Sequence, residues 1–291
     1  MNTASITALC VLTAATPAAY GQTAYAARTT AFRPGTTAAA GFNAPSAPLG
    51  EPTRITSPGS PFAAPVSFFS PPFGNQEIIS IGEGGFLTLE LERFAVPQAG
   101  GPEIGVFTNA GYGDTDGNFS DDNARVSGDF AGPFDTFGID AARVQVSADN
   151  VTFVDVLPQA IRFDIPTNAY TNATSVSSLP ASPVASDFGQ PFVGGPDDFA
   201  GLRYFSDTGS SVQSVLNGGG GGTWLDISGL GLAEVGYVRF FVDDDGDAAT
   251  GLNFELDAVS VARNAVGRPV PEPASALLVA LGAVAALRRR S

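Results

Sequence analysis

Short apolar runs with a period of two, broken every few residues by glycine or proline, most restrict what this chain can become. In Phe86 to Leu91, the residues Leu87, Leu89 and Leu91 share one face. Val144 and Val146 alternate with Arg143 and Gln145, and Ile161, Phe163 and Ile165 with Arg162 and Asp164. Val238, Phe240 and Val242 oppose Tyr237, Arg239 and Phe241; Phe254, Leu256 and Ala258 oppose Glu255, Asp257 and Val259. Strands buried on one or both faces read this way. The 35 glycines and 22 prolines, about one residue in five, count against long helices. No window from 70 to 265 offers a capped amphipathic helix of about ten residues.

Asp149-Asn150 is a good hairpin turn, because both residues tolerate positive φ. About eight to ten short strands spaced by turn residues predict an all-β protein, a single antiparallel β-sandwich of jelly-roll type. The 22 phenylalanines and 44% hydrophobic residues are enough to fill one sizeable core. Two long segments interrupt the strands. Residues 108–135 are rich in Gly and Asp, and residues 166–223 in Pro, Ser, Thr and Gly, ending in five consecutive glycines, Gly218 to Gly222. Residues 27–76, rich in Ala, Thr and Pro, read as a flexible stretch. The expected organisation is a leader at 1–26, that flexible segment at 27–76, the sandwich at 77–265 and a terminal signal at 266–291.

Charge removes much chemistry. All 14 basic residues are Arg, against 29 acids, for a net charge of −15; Lys and His are absent and Cys10 is the single cysteine. No Ser-His-Asp triad, Schiff-base lysine, Walker lysine or His-ligated zinc is possible. An acidic body also repels nucleic-acid phosphates. Carboxylate chemistry, oxygen-ligand metal binding or no chemistry remain.

Residues 270–291 hold the most specific motif: Val270-Pro271-Glu272-Pro273, an apolar run from Ala274 to Leu287, then Arg288-Arg289-Arg290. At about 1.5 Å per residue, 274–287 reaches roughly 21 Å as a helix, short of a ~30 Å hydrocarbon core. The three arginines would keep that end cytoplasmic. The segment resembles the PEP-CTERM sorting signal, also called the ice-binding protein C-terminal domain, although no Thr-x-Thr ladder suggests ice binding in the body. The resemblance implies export, a short transmembrane helix at 274–287, and a stage anchored in the inner membrane. It further implies that an exosortase-type enzyme reads Pro271, Glu272 and Pro273 and releases the protein to the cell surface or extracellular matrix. The other reading is a plain membrane anchor. At the other end, Ile6 to Ala15 is apolar and Ala24-Tyr25-Ala26 offers an A-x-A-like cleavage site, without a basic n-region because the first Arg is Arg28.

Gly84 to Leu89, Val144 to Asp149 and Asn253 to Val259 together resemble bacterial surface proteins with a jelly-roll domain akin to carbohydrate-binding modules. That resemblance implies a structural-calcium role for Asp257. Two Asp-rich loops invite calcium directly: Asp114, Asp116 and Asn118, and Asp243, Asp245 and Asp247, supply hard oxygens on bendable backbone. Neither is an EF-hand, since Phe119 and Ala248 stand where its glycine is required, and solvated turn residues are the alternative. Trp224, the lone tryptophan, either stacks on a sugar ring or fills the core. No paired-carboxylate motif marks a hydrolase, and a secreted polysaccharide hydrolase is the lesser alternative to a carbohydrate-binding module. The expectation is a non-enzymatic surface protein with calcium as the only candidate cofactor and extracellular polysaccharide as an alternative partner.

Overall fold

The computed structural model describes residues 23–61, 63–115, 124–127, 136–138, 140–244 and 252–271. Its strands in chain order are β1 (Ala24–Arg33), β2 (Ile55–Thr56), β3 (Ala64–Pro65), β4 (Ile79–Gly82), β5 (Phe86–Ala95), β6 (Ile104–Thr108), β7 (Gly111–Tyr112) and β8 (Thr136–Phe137). There follow β9 (Ala141–Ser147), β10 (Val154–Asp155), β11 (Ile161–Arg162), β12 (Thr223–Leu225), β13 (Val235–Phe241), β14 (Asn253–Val261) and β15 (Val266–Pro269). Among the described residues one short α-helix, α1 (Val212–Leu216), is capped by the Ser211 hydroxyl.

One large antiparallel sheet runs β10-β9-β13-β5-β1-β14-β6-β12, with β4 on β14, β11 on β9 and β15 on β5. β1 turns its corner. Ala24 and Tyr25 pair with Val261 and Ser260 of β14, while Ala26 to Arg33 pair with β5. Register slips at Ala26/Arg28 and Thr29/Ala31 bend the strand, and the sheet curls until its two halves face each other. The expected antiparallel sandwich is what results. Leu87, Leu89 and Leu91 of one half and Ile104, Val106 and Val259 of the other share a single core. Phe240 on β13 stacks on Phe254 of β14 at 5.3 Å, and Phe163 packs on Phe254 at 4.9 Å.

The inward faces fall where alternation put them, except on β14. A register shift between Leu256 and Ala258 moves Val259 and Val261 into the main core beside Phe254 and Leu256. Ala258 instead packs with Phe107 and Phe188 in a separate cluster. A bulge adds one residue and so exchanges the faces beyond it.

Two further readings need correction. Residues 27–76 are not a flexible lead-in: β1 occupies a central position, and Val66, Phe68 and Phe69 are buried. The folded body therefore begins upstream of residue 77. Ala24-Tyr25-Ala26 belongs to the sheet, with Ala24 and Ala26 both 1% exposed, so cleavage after Ala26 would strip β14 of its pairings with Ala24 and Tyr25. The glycine run is closely packed. A Cβ on Gly220 would stand 2.1 Å from the Phe188 ring, and Gly221 and Gly222 take positive φ against Pro166 and Phe107. Close approach and left-handed backbone together require glycine here. The long 166–223 segment packs Phe199, Tyr204, Val212 and Leu216 onto Phe68, Phe69 and Tyr112 as a second core.

Candidate functional site

The outward side chains of five adjacent strands form two rungs of four on one face. Arg33 of β1, Phe86 of β5, Phe241 of β13 and Arg143 of β9 are successive cross-strand partners. The next rung sets Thr88, Arg239, Gln145 and Asp155 side by side on β5, β13, β9 and β10. Side chains two residues apart share a face, and the intervening Leu87, Phe240 and Val144 are wholly buried in the core. Arg33, Phe86, Arg143, Gln145, Arg239 and Phe241 wall an open groove of about 430 Å³.

Its cations differ in their partners. Arg143 meets Asp155 at 3.0 Å and Asp243 at 3.5 Å; the hydrogen bond and charge of Asp155 raise its pKa. The Arg239 guanidinium lies 3.6 Å from the centre of the Phe153 ring, and its Nε donates to Thr88 Oγ1 at 2.9 Å. Burial lowers its pKa, yet a guanidinium stays charged at any ordinary pH. Arg33 lies 5.4 Å over Phe86, and its Nη2 donates to the Gly84 carbonyl. Arg28, Arg54, Arg162, Arg263 and Arg268 each pair with an acid. Arg33 and Arg239 have no carboxylate partner among the described residues. Alternation already placed Arg143, Arg239 and Phe241 outward; the register that gathers them with Arg33 and Phe86 was not legible from one strand at a time.

The residues singled out by sequence lie elsewhere. Trp224 is half-buried, donates from Nε1 to the Gly221 carbonyl at 3.0 Å and meets the Phe107 ring edge-on. Its ring fits over Gly105, where a Cβ would come within 2.9 Å of it, and it borders a smaller cavity of about 170 Å³ with Phe192 and Val193. Asp257 is buried, and its carboxylate accepts from the Thr53 backbone N–H at 3.0 Å and hydroxyl at 2.7 Å. Burial raises its pKa to about 7, against the lowering pull of those bonds. It ties the 51–56 segment to β14. Asp114 Oδ1 accepts from the Arg125 backbone N–H, and Asp243 is exposed beside Arg143. Asp116, Asn118, Asp245 and Asp247 lie outside the described residues. Among the described residues no three acids cluster in a way that would hold a metal ion.

Acids away from the groove also have partners. Glu234 pairs with Arg268. Glu255 accepts from Asn109 and Asn253, and its charge, second to burial, raises the pKa of Asp140 to about 7. Burial raises that of Glu255 as well.

The sandwich holds the chain up to the edge of the terminal motif. β15 pairs with β5, and the Val270 N–H donates to the Glu92 carbonyl at 3.1 Å. Arg268 lies 4.3 Å over the Phe94 ring while pairing with Glu234. Pro271 is exposed. The rest of the signal, Glu272, Pro273, the expected helix 274–287 and Arg288 to Arg290, lies outside the described residues, among which no helix is long and apolar enough to cross a membrane. No curated protein matches the chain. The family model of the PEP-CTERM protein-sorting motif matches residues 269–291, which implies an exported protein sorted to the cell surface by way of the membrane, with an exosortase as its processing partner.

Proposed function

We propose that the chain is a non-catalytic cell-surface or extracellular-matrix protein whose C-terminal signal anchors it briefly in the inner membrane and is then cut away. The observation that carries this reading is the sorting motif at 269–291, which follows a strand pinned to the sandwich through Val270. A compact domain is thus delivered with little slack between fold and signal. The absence of His and Lys from the sequence supports a role in structure or binding rather than turnover. Surface labelling of intact cells tests it. Wild type is expected to be labelled, and a chain ending at Val270 is expected to lose labelling while remaining folded; equal labelling of both would remove the sorting role.

Extracellular polysaccharide as a partner is a second reading, favoured by the groove between β1 and β9. Aromatic rings beside two guanidiniums that meet no carboxylate among the described residues, on a sheet exterior, suit an extended polar polymer. Structural calcium at the two Asp-rich loops is a proposal on the same footing as the motif chemistry that suggested it, and chelation is its test: EDTA should lower the melting temperature and calcium restore it, and no shift with either would remove the metal.

A further inference from the structure

We propose that the two-rung groove binds a carboxylate-bearing polysaccharide, a chain of uronic-acid type, with Arg33 and Arg239 taking its carboxylates and Phe86 and Phe241 supporting its sugar rings. The inference rests on the reading of the chain as a surface protein that meets extracellular polymer, and it adds the chemical class of ligand and the residues that select it.

Three observations carry it. First, in a chain of net charge −15, six of the eleven arginines among the described residues pair with an acid, whereas Arg33 and Arg239, both over the Phe86 ring, pair with no described carboxylate. A polyanion repelled by the rest of the surface finds its complementary charge here. Second, Arg239 is held ready. Stacking on Phe153 and the Nε bond to Thr88 fix the plane of the guanidinium, and its two Nη groups, without a bond to any described residue, keep their donors for a bidentate acceptor. Third, the first rung spans four strands, from Arg33 to Arg143, roughly 14 Å at ~4.8 Å per strand. Aromatic side chains occupy its middle. That is longer than one sugar and suits a chain lying across the strands. Arg143 is already held by Asp155 and Asp243, so it closes one end of the groove and is not a primary carboxylate ligand.

The test is titration calorimetry on the full chain purified in mild detergent. The probes are oligogalacturonate, a neutral glucan oligomer of equal length, a sulfated dextran oligomer and a poly-glutamate peptide. Saturable binding of oligogalacturonate is expected, with each other probe at least about tenfold weaker. Arg33→Gln and Arg239→Gln should each weaken oligogalacturonate binding by about tenfold or more. Arg33 is exposed and its variant should keep the wild-type melting temperature, so the claim stays falsifiable even if Arg239→Gln fails to fold. Several results would overturn the proposal. Equal binding of the neutral oligomer would assign recognition to the rings alone; preference for sulfate or poly-glutamate would assign it to a different anion. Binding unchanged in Arg33→Gln, or no binding at all, would place any ligand elsewhere. Self-association by light scattering that Arg239→Gln abolishes, without sugar binding, would make the groove a contact with a second copy's acids. Calorimetry does not depend on where the cell puts the protein, so failure here and failure of surface labelling are separate results.

Discussion

The Asp257 carboxylate, for which the family resemblance implies a structural calcium, accepts from the backbone and hydroxyl of Thr53. A buried acid prefers its neutral form, and the pKa of Asp257, like that of Asp140, rises to about 7 from the ordinary ~3.9. The folded state thus binds protons more tightly than the unfolded chain. Stability from these groups is fully present below ~pH 4 and is lost as pH rises through about 7. The melting temperature should therefore be several degrees higher at pH 5.5 than at pH 8, at about 2–4 °C per kcal/mol for a body of this size. Asp257→Asn should remove part of that slope, and Asp257→Asn with Asp140→Asn most of it. A melting temperature that falls on acidification over this range would show that other carboxylates dominate.

At the level of elements, β1 and the glycine run carry more of the fold than their composition suggests. Gly220→Ala places a methyl group against Phe188 and should cost about 1–3 kcal/mol, seen as a lower urea midpoint with an unchanged slope. Deleting residues through Ala26 removes the β14 pairings of Ala24 and Tyr25, so any natural cleavage of a leader should lie upstream of Ala24. N-terminal sequencing of the exported protein should find its first residue at or before Ala24; a start at Ala27 would contradict the corner role of β1. β5, β9, β11, β13 and β14 were legible because period-two alternation follows directly from one buried face, as Leu87, Leu89 and Leu91 show. β1 was not. Its Ala-Arg-Thr-Thr-Ala sequence has weak alternation, and its bulges break the period by which a strand is recognised. The role of the glycine run was not legible for a related reason: composition is silent on the rings that Gly220 and Gly222 pack against.

For the molecule as a whole, the unequal charges divide the labour. A core of curled sheet, with Phe240 stacked on Phe254 across it, makes the body rigid, and Phe240→Ala should destabilise it by about 3–5 kcal/mol. Arg33 and Arg239, which pair with no carboxylate among the described residues, are where we propose an anion settles, and their juxtaposition depends on register across the strands, which no single run of sequence records. At the far edge, β15 carries the chain to Val270 before the sorting motif takes over. The most direct test of the central claim, delivery of a folded sandwich through that motif, is the intact mass of the protein in the cell-surface fraction, comparing wild type with Glu272→Ala. Wild type should lack the apolar segment and terminal arginines, while the variant should keep them and remain in the inner membrane; equal mass and location for both would contradict the account.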